Sequence, residues 1–170
     1  MTPSNPLTFD PIEEARRQWV DHGWIDAADG MAVVTSVMRV QQIYMARIDA
    51  ILRPLDLTFA RFELLTLLTF TSRGALPMNK IGMRLQVHPT SVTSSVDRLE
   101  SQGLVRRRAH ETDRRTTLVN ILPVGRRIQK LAAVALNAEV FAKPGLSKSE
   151  LEQFYAILII LRFEEQDAAS

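Results

Sequence analysis

The chain of 170 residues contains no cysteine, which excludes disulfides, thiolate metal sites and thiol-based redox sensing. Its three histidines, His22, His88 and His110, are scattered without ligand spacing, so no metal site is expected. No apolar run approaches the roughly 20 residues that a spanning helix needs. The first residues are acidic and polar, unlike the basic and then apolar start of a signal peptide. A cytoplasmic location with no membrane partner is therefore expected. A Gly-rich phosphate loop, a nucleophile elbow and an Asp/Glu/His cluster apart from ordinary helix surface are all missing, which argues against an enzyme and leaves no catalytic residue or cofactor to assign. What remains is 46% hydrophobic and 24% charged residues, enough for one compact domain with a real core.

Charge is also lacking in bulk but not locally. The net charge is +2, yet residues 73–130 hold 12 Lys and Arg against 4 Asp and Glu, a balance of +8, and the remainder holds 9 against 15, or −6. A basic stretch is often only a solvated face, but here it coincides with a helix and a hairpin suited to a polyanion.

That helix begins with Pro89, whose fixed φ suits a first helical position, and ends at Gly103, which tolerates the left-handed conformation. Val92, Val96 and Leu99 recur at helical spacing and should point inward. Thr90, Ser91, Thr93, Ser94, Asp97 and Arg98 then face out, a surface of short hydroxyls small enough to enter a major groove and to donate to base edges and phosphates. A short helix from Pro77 through Leu85 precedes it, across the turn Gln86-Val87-His88, which is a helix-turn-helix arrangement. Leu104 to Arg108 and Thr116 to Ile121 alternate apolar with polar and predict a hairpin with its loop at Ala109 to Arg115. Arg106, Arg107 and Arg108 must alternate in direction along their strand, so only one or two of them reach phosphates.

Helical spacing elsewhere predicts a short helix over 11–22 after the capping pattern Asp10-Pro11-Ile12-Glu13, a long helix from Met31 to Arg53 stopped by Pro54, and a helix from Phe59 to Thr71 capped by Thr58. Pro123 opens a further helix through about Ala142, and Ser147-Lys148-Ser149-Glu150 is a capping box for the last one. The fold class is mainly α: a winged helix-turn-helix with a two-stranded β-wing and N- and C-terminal dimerisation helices. The expected organisation is an N-terminal extension with a short helix at 1–30, dimerisation helices at 31–54 and 123–164, the winged helix-turn-helix at 55–122, and a tail at 165–170. The flanking helices carry more apolar surface than one small winged helix can cover, and a second copy is the economical cover, giving a homodimer.

These residues resemble the MarR-type transcriptional regulators. The likeness spans about residues 31–164 and is carried by Phe59-Ala60-Arg61-Phe62-Glu63-Leu64-Leu65, Ser91-Val92-Thr93, Val96-Asp97-Arg98-Leu99-Glu100, Gly103-Leu104-Val105, Asp113-Arg114-Arg115, Leu118-Val119 and Pro123-Val124-Gly125-Arg126. The resemblance implies an obligate two-fold dimer whose winged helices meet adjacent turns of a pseudo-palindromic operator in double-stranded DNA, usually as a repressor. The alternative is a winged helix that binds protein.

On that resemblance, Thr90, Ser91, Thr93, Ser94 and Arg98 would lie along the major groove. Arg98 could instead form a surface ion pair with Asp97 or near Glu100. Asp113 would orient Arg115, leaving Arg114 or Arg115 to enter the minor groove at the wing tip, with Arg106 and Arg108 on phosphates. Thr58 to Arg61 and Lys80 could add backbone contacts, or Arg61 could pair with an internal acid. Such regulators are often released by a small aromatic or anionic effector. Trp19 and Trp24, which precede the family core, are similar to the added helix of the urate-responsive subgroup. Trp19, with Tyr44, Arg47 and Arg39, would line a pocket whose acid is Asp49 or Asp56; the other reading of these side chains is helix packing. His88 is either a phosphate contact sensitive to pH or a turn residue.

Overall fold

The computed structural model describes residues 8–110 and 115–168, with side chains described through residue 163. The chain divides into two compact units, residues 1–47 and 48–170.

The first unit opens with α1 (Pro11–Asp21), started by Asp10, whose carboxylate accepts from the Ile12 amide at 2.9 Å. Gly23, at φ 86, turns the chain, and α2 (Ile25–Leu52) follows, its last residues belonging to the second unit. This start corrects the expected Met31. Gly30 lies inside the helix instead of before it, since one interior glycine costs only about 1 kcal/mol relative to alanine, which a 28-residue helix absorbs. Arg16 Nε donates to Asp29 at 2.6 Å, tying α1 to the first turns of α2.

In the second unit a single 3-10 turn at Arg53–Leu55 follows α2 where Pro54 removes a donor. Next come α3 (Phe59–Thr69), α4 (Met78–Leu85), α5 (Pro89–Ser101), α6 (Pro123–Leu136) and α7 (Lys148–Ala168). Thr58 caps α3 as expected. Residues Asn137–Phe141 widen into a π turn closed by the Ala142 amide on the Asn137 carbonyl at 2.9 Å. Both halves of the capping box form at α7: the Ser147 amide donates to Glu150 at 2.8 Å, and the Glu150 amide to Ser147 Oγ at 3.4 Å.

The core is built from Leu52, Leu57, Phe62, Leu64, Leu65 and Leu68, from Ile81 of α4, from Val92, Val96 and Leu99 of α5, and from Ala132 and Leu136 of α6. The inward stripe assigned to α5 is buried as expected. The hairpin pairs β2 (Val105–Ala109) with β3 (Thr117–Ile121), Val105 opposite Ile121 and Ala109 opposite Thr117. The wing is the expected two-stranded hairpin, and a third strand the sequence did not suggest joins it: β1 (Ala75–Pro77) pairs antiparallel with β3, giving the order β1-β3-β2. Its last residue is a proline on a sheet edge, where a missing donor costs nothing. Among the described residues, no helix is long and apolar enough to cross a membrane.

Candidate nucleic-acid interface

The second unit brings α5 and the hairpin together. Thr90, Ser91, Thr93, Ser94, Asp97 and Arg98 are all exposed on α5, as the inward position of Val92, Val96 and Leu99 requires. The helix starts at His88, whose Nδ1 accepts from the Thr90 amide at 3.3 Å. A histidine in the N-cap position serves as the turn residue that was one of its two readings. Thr93 Oγ1 donates back to the Pro89 carbonyl at 3.1 Å, which leaves its oxygen lone pairs outward.

The three arginines of β2 divide as the strand's alternation demands. Arg106 and Arg108 are exposed, and Arg108 Nε donates to Asn120 Oδ1 at 2.9 Å. Arg107 turns the other way and clamps the strand to α5. Its guanidinium meets Glu100 and Asp97, each at 2.6 Å, and reaches the Thr93 carbonyl at 3.4 Å, while its amide donates to Glu100 Oε1 at 2.6 Å. These backbone and side-chain hydrogen bonds from Arg107 hold the Glu100 carboxyl below the usual range. The clamp was not read from the sequence. Its signal was present in Thr93, Asp97 and Glu100, which follow one another at helical spacing beside the buried stripe.

Arg98 is corrected in its partner. It pairs with Asp56 at 3.1 Å, whereas Asp97 and Glu100 are taken by Arg107. Gln102 Nε2 donates to Asp56 Oδ2 at 2.6 Å and to its carbonyl at 2.8 Å. Arg61 Nη1 donates to that same carbonyl at 2.9 Å, so its tie to an acidic residue, one of its two readings, runs through the Asp56 backbone. The Gln102 amide, working against partial desolvation and joined by the charges of Arg98 and Arg61, keeps the Asp56 carboxyl below the ordinary carboxylate range. Arg115 is exposed just before β3. Asp113 and Arg114 lie outside the described residues.

The aromatic and basic side chains assigned to an effector belong to the first unit. Trp19 is half-buried and meets Trp24 edge to face with ring centroids 5.1 Å apart. Arg47 lies over the Tyr44 ring at 5.9 Å. Asp49 and Asp56 belong to the second unit.

The model of the MarR family matches residues 57–117. The HTH-type transcriptional regulator YhbI of Bacillus subtilis (strain 168) is 29% identical over 87 residues, 51% of this chain and 55% of that protein, so the match spans about half the length of this curated relative. The solved structure of Sco5413, a MarR family transcriptional regulator from Streptomyces coelicolor, is 45% identical, covers 82% of this chain and 96% of its own, and has a TM-score of 0.73. Sco3205, a MarR family transcriptional regulator from the same organism solved in complex with DNA, is 21% identical over 79% of this chain and 86% of its own, with a TM-score of 0.71, a likeness of fold. Matched in its helix-turn-helix by the family model and across most of its length by Sco5413, this chain belongs to the MarR family of winged-helix transcriptional regulators.

Proposed function

We propose that this regulator binds double-stranded DNA as a homodimer, acts as a repressor on a pseudo-palindromic operator, and is released by a small aromatic or anionic ligand. The observation that carries the DNA-binding part is the exposed row Thr90, Ser91, Thr93, Ser94 and Arg98 on α5, beside a hairpin that exposes Arg106, Arg108 and Arg115. Hydroxyls and guanidinium groups on a narrow helix suit a major groove, and an arginine-bearing hairpin suits the electronegative minor groove next to it. Asp113 and Arg114 keep the wing-tip roles that the family resemblance gives them. The complex of Sco3205 with DNA, on the same fold, supports DNA as the partner.

The dimer reading is supported by apolar side chains that α2 and α7 leave in solvent, including Val33, Val34, Ile43, Ile157, Ile160 and Phe163. Dimerisation places them against a second copy, with residues 31–54 and 123–164 as the dimerisation helices and 55–122 as the DNA-binding part. The effector reading rests on the Trp19–Trp24 pair and on Arg47 over Tyr44, which offer ring faces and positive charge.

The test is titration of the purified protein onto labelled genomic fragments, its own upstream region included, at two salt concentrations. Binding should weaken steeply with salt because Lys and Arg displace condensed counterions. Arg98→Ala and Arg115→Ala should each lower operator affinity about tenfold, a typical loss for one base or phosphate contact, with the dimer and helical signal intact. Wild-type binding by both variants would remove the assignment of α5 and the wing. A protein that ignores every duplex at low salt but retains a protein partner would favour the interaction-module alternative.

A further inference from the structure

Asp56 occupies the corner between the 3-10 turn and α3 with a left-handed backbone, φ 51. Two kinds of acceptor on this one residue do separate jobs. Its carbonyl takes Arg61 and Gln102, which fixes the corner against the C-terminal end of α5. Its carboxylate takes Gln102 and Arg98, the one arginine on the outward face of α5. Both partners of the ion pair face solvent, with side chains 58% exposed for Arg98 and 63% for Asp56. A pair so exposed is weak enough to exchange for another anion. The carboxylate also stands beside the groove-facing side chains as a negative charge, and any phosphate approaching Arg98 meets it.

We propose that Asp56 tempers DNA affinity: its carboxylate holds Arg98 in the free protein, and any duplex that engages the guanidinium must first release it. The inference rests on the reading that α5 enters the major groove. Arginine meets guanine O6 and N7 through two parallel hydrogen bonds, a geometry one phosphate oxygen does not reproduce. Either partner, guanine or phosphate, must first displace the carboxylate, so the energy of the pair is subtracted from every complex in which Arg98 touches DNA.

Asp56→Asn is the informative variant, because asparagine tolerates the left-handed backbone and keeps an acceptor oxygen while the charge disappears. Wild type and variant, as full chains, are titrated across a salt series with two duplexes of equal length, one of mixed sequence and one selected by the wild type from a randomised pool. The variant should bind the mixed-sequence duplex about fivefold more tightly at low salt, the scale of one exposed ion pair. Its slope of log K against log salt should steepen by about 0.9, one added phosphate contact. Affinity for the selected duplex should rise by a similar factor, because the pair is broken there too. Adding Arg98→Ala to Asp56→Asn should abolish the gain. Should Asp56→Asn fail to fold, Asp56→Gly carries the test, since glycine also tolerates φ 51: it should tighten both duplexes, and unchanged binding would overturn the proposal. Unchanged affinity and slope in folded Asp56→Asn would overturn it while wild-type binding left the DNA-binding reading standing. A wild type that selects no duplex would overturn both.

Discussion

Replacing one hydrogen by a methyl group at Gly125 would decide whether α6 can lie where it does. A Cβ built there falls 2.2 Å from the Leu104 carbonyl oxygen and 3.0 Å from Ile121 Cγ1. That carbonyl is already held, accepting from the Leu122 amide at 2.9 Å, so the backbone cannot step aside cheaply. Gly125→Ala should therefore cost about 3 kcal/mol, the upper part of the range for overpacking. Gly103→Ala, at φ 68 with open space around it, should cost only the backbone term of about 1 kcal/mol. Urea unfolding of both variants checks the order; equal losses would mean that close approach is not what Gly125 provides. The string Pro123-Val124-Gly125-Arg126 was legible as a family feature. The reason for its glycine was not, because the atom it makes room for is on a distant part of the chain.

Among elements, the coupling of α5 to the hairpin depends on Arg107, which bridges β2 to Thr93, Asp97 and Glu100. Arg107→Ala removes that bridge and leaves two carboxylates without it on the surface proposed to meet DNA. Operator affinity should fall about tenfold or more although Arg107 itself need not touch DNA, and a mobility-shift titration measures it. The acid limb of stability should change too. Because Glu100 titrates below its usual range in the folded protein, its contribution is present above its unfolded value of about 4.3 and is lost as pH falls through the depressed folded value. In Arg107→Ala that part of the acid dependence should flatten in thermal melts between neutral pH and about pH 3; an unaltered profile would show that Glu100 gains nothing from the clamp. At this scale the helices were readable from periodicity and caps, as at Asp10, Thr58 and Ser147. β1 was not, since three residues ending in proline carry no alternation of their own and become a strand only by pairing with β3.

Over the whole molecule, the described side chains leave an unusual amount of apolar surface in solvent, concentrated on α2 and α7. Such faces on a stable protein are interaction surfaces. Ile157→Glu, which places a charge at a position 55% exposed, should leave a free chain folded but shift the assembly from dimer to monomer, at least tenfold in dissociation constant if the side chain is desolvated on association. Light scattering across a concentration series distinguishes the species. A wild type that remains monomeric at every concentration, or a variant that dimerises as well as wild type, would remove α7 from the interface. That these helices carry more apolar surface than one chain covers was legible in the sequence; which side chains stay uncovered, Val33 and Val37 among them, was decided by packing.

The amino-acid sequence by itself determined the order of helices, the inward stripe of α5 and the hairpin, because each follows from local spacing, caps and turn residues acting within a few residues of one another. Tertiary structure alone decided which charges meet. Arg98 lies next to Asp97 in the chain but pairs with Asp56, and Arg107, one of three consecutive arginines, is the one spent on α5. An ion pair is a matter of angstroms between atoms on different elements, and only packing sets those distances.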